Sequence, residues 1–251
     1  MADDSADAAR FRGTRFTDAD LTGATFRSCD LRGVKIVDSW LVDVDVSGIV
    51  GRFTVNDVDV TAFVEDELDR RRPERVQLRE TRTADDHRAM WDTVERLWSE
   101  TIARARRLPE PLLHERVDDE WSFVETLRHL VFCTDAWASR TVLDDPMPYH
   151  QLGYPHSSHP RDAVAALGID LDAHPSFDEV MTARTDRQAV VRRILDDLTD
   201  GDLERVCARP PAPGYPDEER TVGRCLRVVM REECEHRRYA KRDLAVLEAR
   251  A

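Results

Sequence analysis

A five-residue repeat near the N-terminus constrains the fold of this chain more than any other feature. A large apolar residue recurs at every fifth position over residues 11–46, with a smaller side chain two positions before most of them. A period of five matches neither the 3.6 residues of a helical turn nor the alternation of a strand. It suits a square coil in which each side turns one large and one small side chain inward. The large residues are Phe11, Phe16, Leu21, Phe26, Leu31, Ile36, Leu41 and Val46.

This repeat resembles the pentapeptide-repeat family over residues 9–50, and the resemblance implies a right-handed quadrilateral β-solenoid. Eight repeats make only about two coils, whereas solenoids need roughly three or more units for independent stability. We therefore expect the N-terminal segment, residues 9–62, to be a docking or stabilising element that leans on the rest of the chain. Some members of the family mimic DNA, but two coils are too short to imitate a useful length of duplex.

Composition excludes several functional classes. The chain has 37 Lys and Arg against 50 Asp and Glu, a net charge of −13, so no positive field attracts nucleic acid. It has neither an apolar run of about 18 residues nor the apolar stretch of a signal peptide. Its five cysteines form no CxxC pattern and indicate reduced thiols. We expect a cytoplasmic protein with a small-molecule substrate and no nucleic-acid or membrane partner, and we leave a homodimer open.

A charged connector, residues 63–83, separates the repeat from a region with helical patterning. Apolar residues recur there at i, i+3 and i+4, and Ser-x-x-Glu capping boxes begin the second and third predicted helices. Four long helices fit a four-helix bundle over residues 84–251, which makes the protein mainly α. The predicted helices are 85–107, 122–143, 176–198 and 221–250.

The connection between the second and third helices, residues 144–175, is far longer than the 2–8 residues usual in bundles. Long ordered loops in compact domains usually carry function or cover something. We therefore predict that this connection lies over the open end of the bundle. Its four histidines are His150, His156, His159 and His174.

Three residues of the bundle form a candidate metal site. Glu232 and His236 are four residues apart on the last helix and therefore share one face. His129 lies among apolar residues of the second helix, where an imidazole needs a partner. Two ring nitrogens and one carboxylate oxygen suit a zinc-type ion and leave one coordination position open. By spacing alone, a solvated helix face for Glu232 and His236 and a hydrogen-bonded core histidine remain the alternatives.

Other residues are candidates for secondary roles. We predict that Tyr239 and His150 contact a bound cofactor or co-substrate. Asp135 and Asp243 could orient a ligand histidine, with an arginine pair as the simpler alternative for each. Two cysteines are predicted to pack within helices and not to act as nucleophiles: Cys133 and Cys234.

The segments WSFVETLRHLVFCTDAW and EECEHRRYAKRDL resemble the DinB-like (YfiT-like) superfamily of four-helix bundles, across residues 84–248. Its members carry one histidine on the second helix and a His- or Glu-x-x-x-His pair on the last. The branch with glutamate resembles the metal-binding N-terminal domain of mycothiol-dependent maleylpyruvate isomerase. The resemblance implies zinc, with nickel or iron as alternatives, on His129, Glu232 and His236. No catalytic arginine of that family can be placed on this chain.

These features lead to functional hypotheses of two classes. The resemblance implies a metal-dependent thiol S-transferase, in which mycothiol, bacillithiol or a similar thiol attacks a small electrophile. The same site could activate water and act as a hydrolase. The alternative class is a non-catalytic stress or binding scaffold whose pentapeptide coils mediate assembly. The complete ligand trio favours an enzyme, whereas the fused repeat favours the scaffold.

Overall fold

The five-residue repeat folds into a regular series of turns. The computed structural model describes residues 11–156, 159–216 and 218–251, and it divides into two units, Met1–Val50 and Gly51–Ala251. In the first unit, a backbone amide donates to the carbonyl three residues earlier once every ten residues, at 3.0–3.1 Å. The residue before each of these amides is a glycine with a φ of 72–75°, a conformation that the missing Cβ makes accessible. The amides belong to Thr14, Ala24 and Val34.

The eight apolar repeat centres are half exposed. They have 48–62% of their surface accessible, and the part of this unit that the structure describes contains no strand. The inward-facing core that the repeat predicts is therefore not formed, and a β-solenoid is not shown. The physical reason is that solenoid faces are buried only by stacking on neighbours, which about two coils cannot provide for each other.

The second unit opens with a short antiparallel hairpin of β1 (Thr54–Val55) and β2 (Val58–Asp59). The two turn residues, Asn56 and Asp57, have φ values of 47° and 66°, which is the backbone of a type I′ turn. The hairpin belongs to the unit of the bundle and not to that of the repeat.

Two helices, α1 (Thr61–Arg71) and α2 (Glu74–Glu80), occupy the segment that was predicted as a charged connector. Arg75 of α2 forms ion pairs with Glu65 and Asp69 of α1, so the charges of this segment hold the two helices together. α2 also packs against the first and last long helices of the bundle.

Four long helices form the bundle, and all four match the sequence prediction to within a few residues. Around the bundle the long helices follow the order first, third, second and fourth, and each contacts the next, with the fourth contacting the first. No helix in the described ranges is both long and apolar enough to cross a membrane. The helices from this point are α3 (Ala84–Ala105), α4 (Glu110–Leu113), α5 (Phe123–Thr134), α6 (Arg161–Ala165), α7 (Phe177–Asp197) and α8 (Val222–Glu248).

Side-chain caps fix where the long helices begin. Ser122 and Ser176 accept from the backbone amides of Glu125 and Glu179, and each glutamate accepts from the amide of its serine, so both predicted capping boxes are confirmed. After Thr134, α5 continues as a π-helical segment, Asp135–Val142, which carries the predicted helix to its expected length.

An ion pair is buried in the core of the bundle. The guanidinium of Arg184 on α7 bonds to the carboxylate of Glu233 on α8, and their side chains are 1% and 0% exposed. The Arg184 guanidinium also lies 5.5 Å from the centroid of the Trp98 ring on α3. The pair therefore links three helices. Around it pack apolar residues with at most 1% exposure, among them Met90, Trp91, Leu127, Val191, Leu226 and Met230.

Glu233→Ala tests the importance of this pair. Because the substitution leaves the Arg184 charge buried without its partner, we expect the free energy of unfolding to fall by about 3–5 kcal/mol. The measurement is urea denaturation followed by circular dichroism. Asp92→Ala, which removes one partner of the more exposed pair with Arg192, is the control and should cost no more than about 1 kcal/mol. Equal losses in both variants would contradict the prediction.

Candidate metal centre

Two neighbouring helices each contribute two potential metal ligands. His129 and Cys133 are one turn apart on α5, and Glu232 and His236 are one turn apart on α8. Residues at i and i+4 lie on the same helix face. Because α5 and α8 pack against each other, the two pairs meet between the helices.

The distances among these side chains match those among the ligands of a single ion. The Oε2 atom of Glu232 lies 3.2 Å from Nε2 of His236 and 3.8 Å from Nε2 of His129. The two imidazole centroids are 4.5 Å apart. Zinc–ligand bonds of about 2.0–2.3 Å place tetrahedral ligands roughly 3.3–3.8 Å from each other. The structure thus brings the three predicted ligands together, with one carboxylate oxygen of Glu232 within 3.8 Å of a ring nitrogen of each histidine.

The imidazole of His129 is held in one orientation by the long connection. Its Nδ1 atom lies 2.8 Å from the carbonyl oxygen of Tyr154. A carbonyl only accepts, so Nδ1 carries the proton and donates it, and Nε2 turns its lone pair toward Glu232. Burial lowers the pKa of His129, which favours the neutral ring that a metal requires.

The carboxyl of Glu232 is ionised in this setting. Burial alone raises its pKa, but hydrogen bonds that His129 and His236 donate when protonated, and the positive charge the rings then carry, outweigh burial and hold the pKa far below its usual range. Its side chain keeps 28% of its surface exposed. The site therefore offers a carboxylate oxygen beside two imidazole nitrogens.

An indole covers these rings from one side. The ring of Trp121 lies 4.6 Å from that of His129 and is stacked on His236 at 5.7 Å and 17°. Trp121 also contacts the rings of Tyr154 and His156, so the 144–175 connection reaches the site as predicted. Sequence analysis did not identify Trp121; its only signal was an aromatic residue directly before the Ser122 cap.

The two residues predicted to contact a cofactor lie in different places. Tyr239, one turn beyond the ligand pair of α8, has its ring 6.4 Å from that of His236 and 4.0 Å from the guanidinium of Arg238. His150 joins the long connection to the bundle, because its amide donates to Oδ2 of Asp135 at 2.8 Å. Tyr239 thus borders the site, and His150 anchors the segment that reaches it.

The other sequence candidates divide between packing and the site. Asp135 pairs with Arg187 and Asp243 pairs with Arg242, so both take the arginine alternative. The sequence assigned Cys133 to helix packing, but its Sγ atom lies 3.2 Å from Nε2 of His129. The signal for this proximity was present in the sequence as four-residue spacing from the histidine.

A four-helix bundle with facing ligand pairs on its second and fourth long helices defines a candidate metal-binding bundle protein. Residues 93–240, more than half of the chain, match the family model of the DinB superfamily, and the protein belongs to that superfamily. Residues 8–48 match the pentapeptide-repeat model in eight copies. No curated protein and no solved structure matches the chain significantly.

The site predicts tight zinc binding that depends on Glu232. In Glu232→Gln, which keeps the shape but removes the charge, we expect zinc affinity to fall by more than about 100-fold, the upper end for loss of an outer-sphere partner. Isothermal titration calorimetry measures the change. Glu235→Gln alters a more exposed glutamate of the same helix that pairs with Arg238, and its affinity should equal that of the wild type. Unchanged binding in Glu232→Gln would exclude this carboxylate as a ligand.

Proposed function

We propose that this protein is a metal-dependent thiol S-transferase. The observation that carries the proposal is that the Glu232 carboxylate lies 3.8 Å from a ring nitrogen of His129 and 3.2 Å from one of His236 inside a DinB bundle. An ion bound there would lower the pKa of a thiol that it coordinates and so supply a nucleophilic sulfur at neutral pH. Sulfur transfer from mycothiol, bacillithiol or a similar thiol to a small electrophile is the reaction proposed.

The chemistry of the ligands indicates which metal the site prefers. Two imidazole nitrogens and one carboxylate oxygen suit Zn²⁺, Ni²⁺ or Fe²⁺, whereas Ca²⁺ and Mg²⁺ take shells of oxygen. We propose zinc as the resident ion.

Several residues of the chain would prepare the site for this reaction. The Tyr154 carbonyl fixes the tautomer of His129, and the Trp121 ring keeps water from one side of both imidazoles. We propose that Tyr239 contacts the thiol co-substrate, since its ring borders His236. The guanidinium groups of Arg238 and Arg242 lie 4.0 and 5.3 Å from that ring and, although paired with Glu235 and Asp243, could donate hydrogen bonds to the polar part of such a thiol. His150 would act indirectly, by anchoring the connection.

His236→Ala tests the enzymatic proposal. We expect it to lose zinc and to reduce thiol transfer to background, because it removes one of three ligands, while His150→Ala lowers the rate less. The assay follows conjugation of a fluorogenic alkyl halide to each thiol, with metal content measured on the same samples. Turnover that proceeds in the wild type without any thiol would replace the transferase with a hydrolase. Full thiol transfer by zinc-free His236→Ala would reject the metal site.

A second role is favoured by the half-exposed apolar centres of the repeat. We propose that the repeats of two copies stack into one right-handed β-solenoid and so form a homodimer. Two segments together supply about four coils, which exceeds the roughly three that a solenoid needs to bury its faces. The exposed fraction of 48–62% at all eight centres is the surface that such stacking would cover.

The dimer prediction can be checked by light scattering on the full-length protein. We expect the wild type to be dimeric and Phe16→Asp to be monomeric, because a charge at a repeat centre opposes burial of the stacked face. The control is Val42→Asp, which places the same charge at an exposed position between centres. A monomeric wild type, or a Phe16→Asp protein that remains dimeric, would contradict stacking through the repeat.

A further inference from the structure

We infer that Cys133 is a fourth protein ligand of the metal centre, so that the site at rest is a closed set of His129, Cys133, Glu232 and His236. This inference rests on the proposed metal binding and deepens it. It changes the site from three protein ligands with an open position to a complete tetrahedral set.

The position of Cys133 gives the first argument. Its side chain is 5% exposed and lies one turn beyond His129 on the same face of α5. Its Sγ atom is 3.2 Å from Nε2 of His129, the ring atom whose lone pair faces the site. The Sγ atom, the His129 nitrogen and a Glu232 oxygen all lie within 4.8 Å of one another. His236 is outside this group of three and adjoins it through the 3.2 Å contact of its Nε2 atom with Glu232.

The second argument is the symmetry of the arrangement. Each of two packed helices presents two ligand atoms one turn apart, and the pairs face each other. Ligand atoms around a tetrahedral zinc stand roughly 3.3–3.8 Å apart. The contacts of Cys133 with His129, His129 with Glu232, and Glu232 with His236 are 3.2, 3.8 and 3.2 Å, and the His236 ring would move toward the sulfur on metal binding. Without an ion, the Cys133 thiol can donate to the free Nε2 atom of His129 at this distance; on metal binding, both atoms would turn to the ion instead.

The chemistry balances without an oxidant or reductant. On metal binding, the Cys133 S–H bond would give its proton to the solvent, and the sulfur would donate an electron pair to the ion. Thiolate is a soft ligand, which strengthens the preference for zinc over magnesium or calcium. A small-molecule thiol would then have to displace Cys133 or enter as a fifth ligand, since closed sets of four protein ligands leave no open position.

Cobalt substitution tests the inference directly, because Co²⁺ bound to a thiolate shows a near-ultraviolet charge-transfer band. We expect this band in wild-type protein loaded with one equivalent of Co²⁺ and its loss in Cys133→Ser. Cys234→Ser, which alters a half-buried cysteine of α8 beside the ligand pair, should keep the band. Zinc affinity of Cys133→Ser should fall by about tenfold or more, with helical content unchanged.

Zinc-edge X-ray absorption of the wild type gives the same answer without any variant, through one sulfur ligand at about 2.3 Å. A wild-type protein that binds Co²⁺ without the charge-transfer band, or zinc without sulfur, would overturn Cys133 as a ligand and leave the proposed function intact. A wild-type protein that binds neither ion would overturn the proposed metal-dependent function, and the Cys133 inference with it.

Discussion

The orientation of α8 about its own axis determines which of its side chains face α5 and which face α7. Glu232 and Glu233 are consecutive, so their side chains leave the helix about 100° apart. The buried pair with Arg184 holds Glu233 against α7, and this leaves Glu232 directed at α5. The two adjacent carboxylates therefore have different roles: the ion pair of Glu233 orients α8, and this orientation positions Glu232.

Local signals in the sequence predicted the helices, because capping boxes and apolar periodicity act within a few residues. Ser122, Ser176 and Thr221 begin helices where the sequence placed them. The trio of His129, Glu232 and His236 was proposed from spacing and supported by resemblance, and the structure brings it together. The parts that the sequence missed depend on how elements pack: neither the sulfur of Cys133 nor the indole of Trp121 could be located before α5, α8 and the long connection were in place.

The repeat shows the opposite limit of sequence reasoning. Its period identifies the pentapeptide-repeat family, whose model matches in eight copies. Periodicity, however, predicts only which side chains would face inward if the coils stacked. Burial also requires neighbours on both sides, and about two coils leave every face with at most one. The half-exposed centres, such as Phe26 and Leu31, follow from the length of the repeat and not from its composition.

Charge balance gives the bundle a physical reason to hold a cation. The carboxylate of Glu232 is stabilised by positive charge on the neighbouring imidazoles, but burial opposes protonation of His129 and lowers its pKa. Glu232 favours positive charge beside it, whereas the buried His129 ring favours neutrality. A proton on His129 cannot satisfy both, because charging this ring in the core carries a desolvation cost. A divalent ion would supply the positive charge while both rings stay neutral. Glu233 needs no such ion because Arg184 already neutralises it. Glu232 has imidazoles where its neighbour has a guanidinium, and this difference supports the proposal of a metal at Glu232 and not at Glu233.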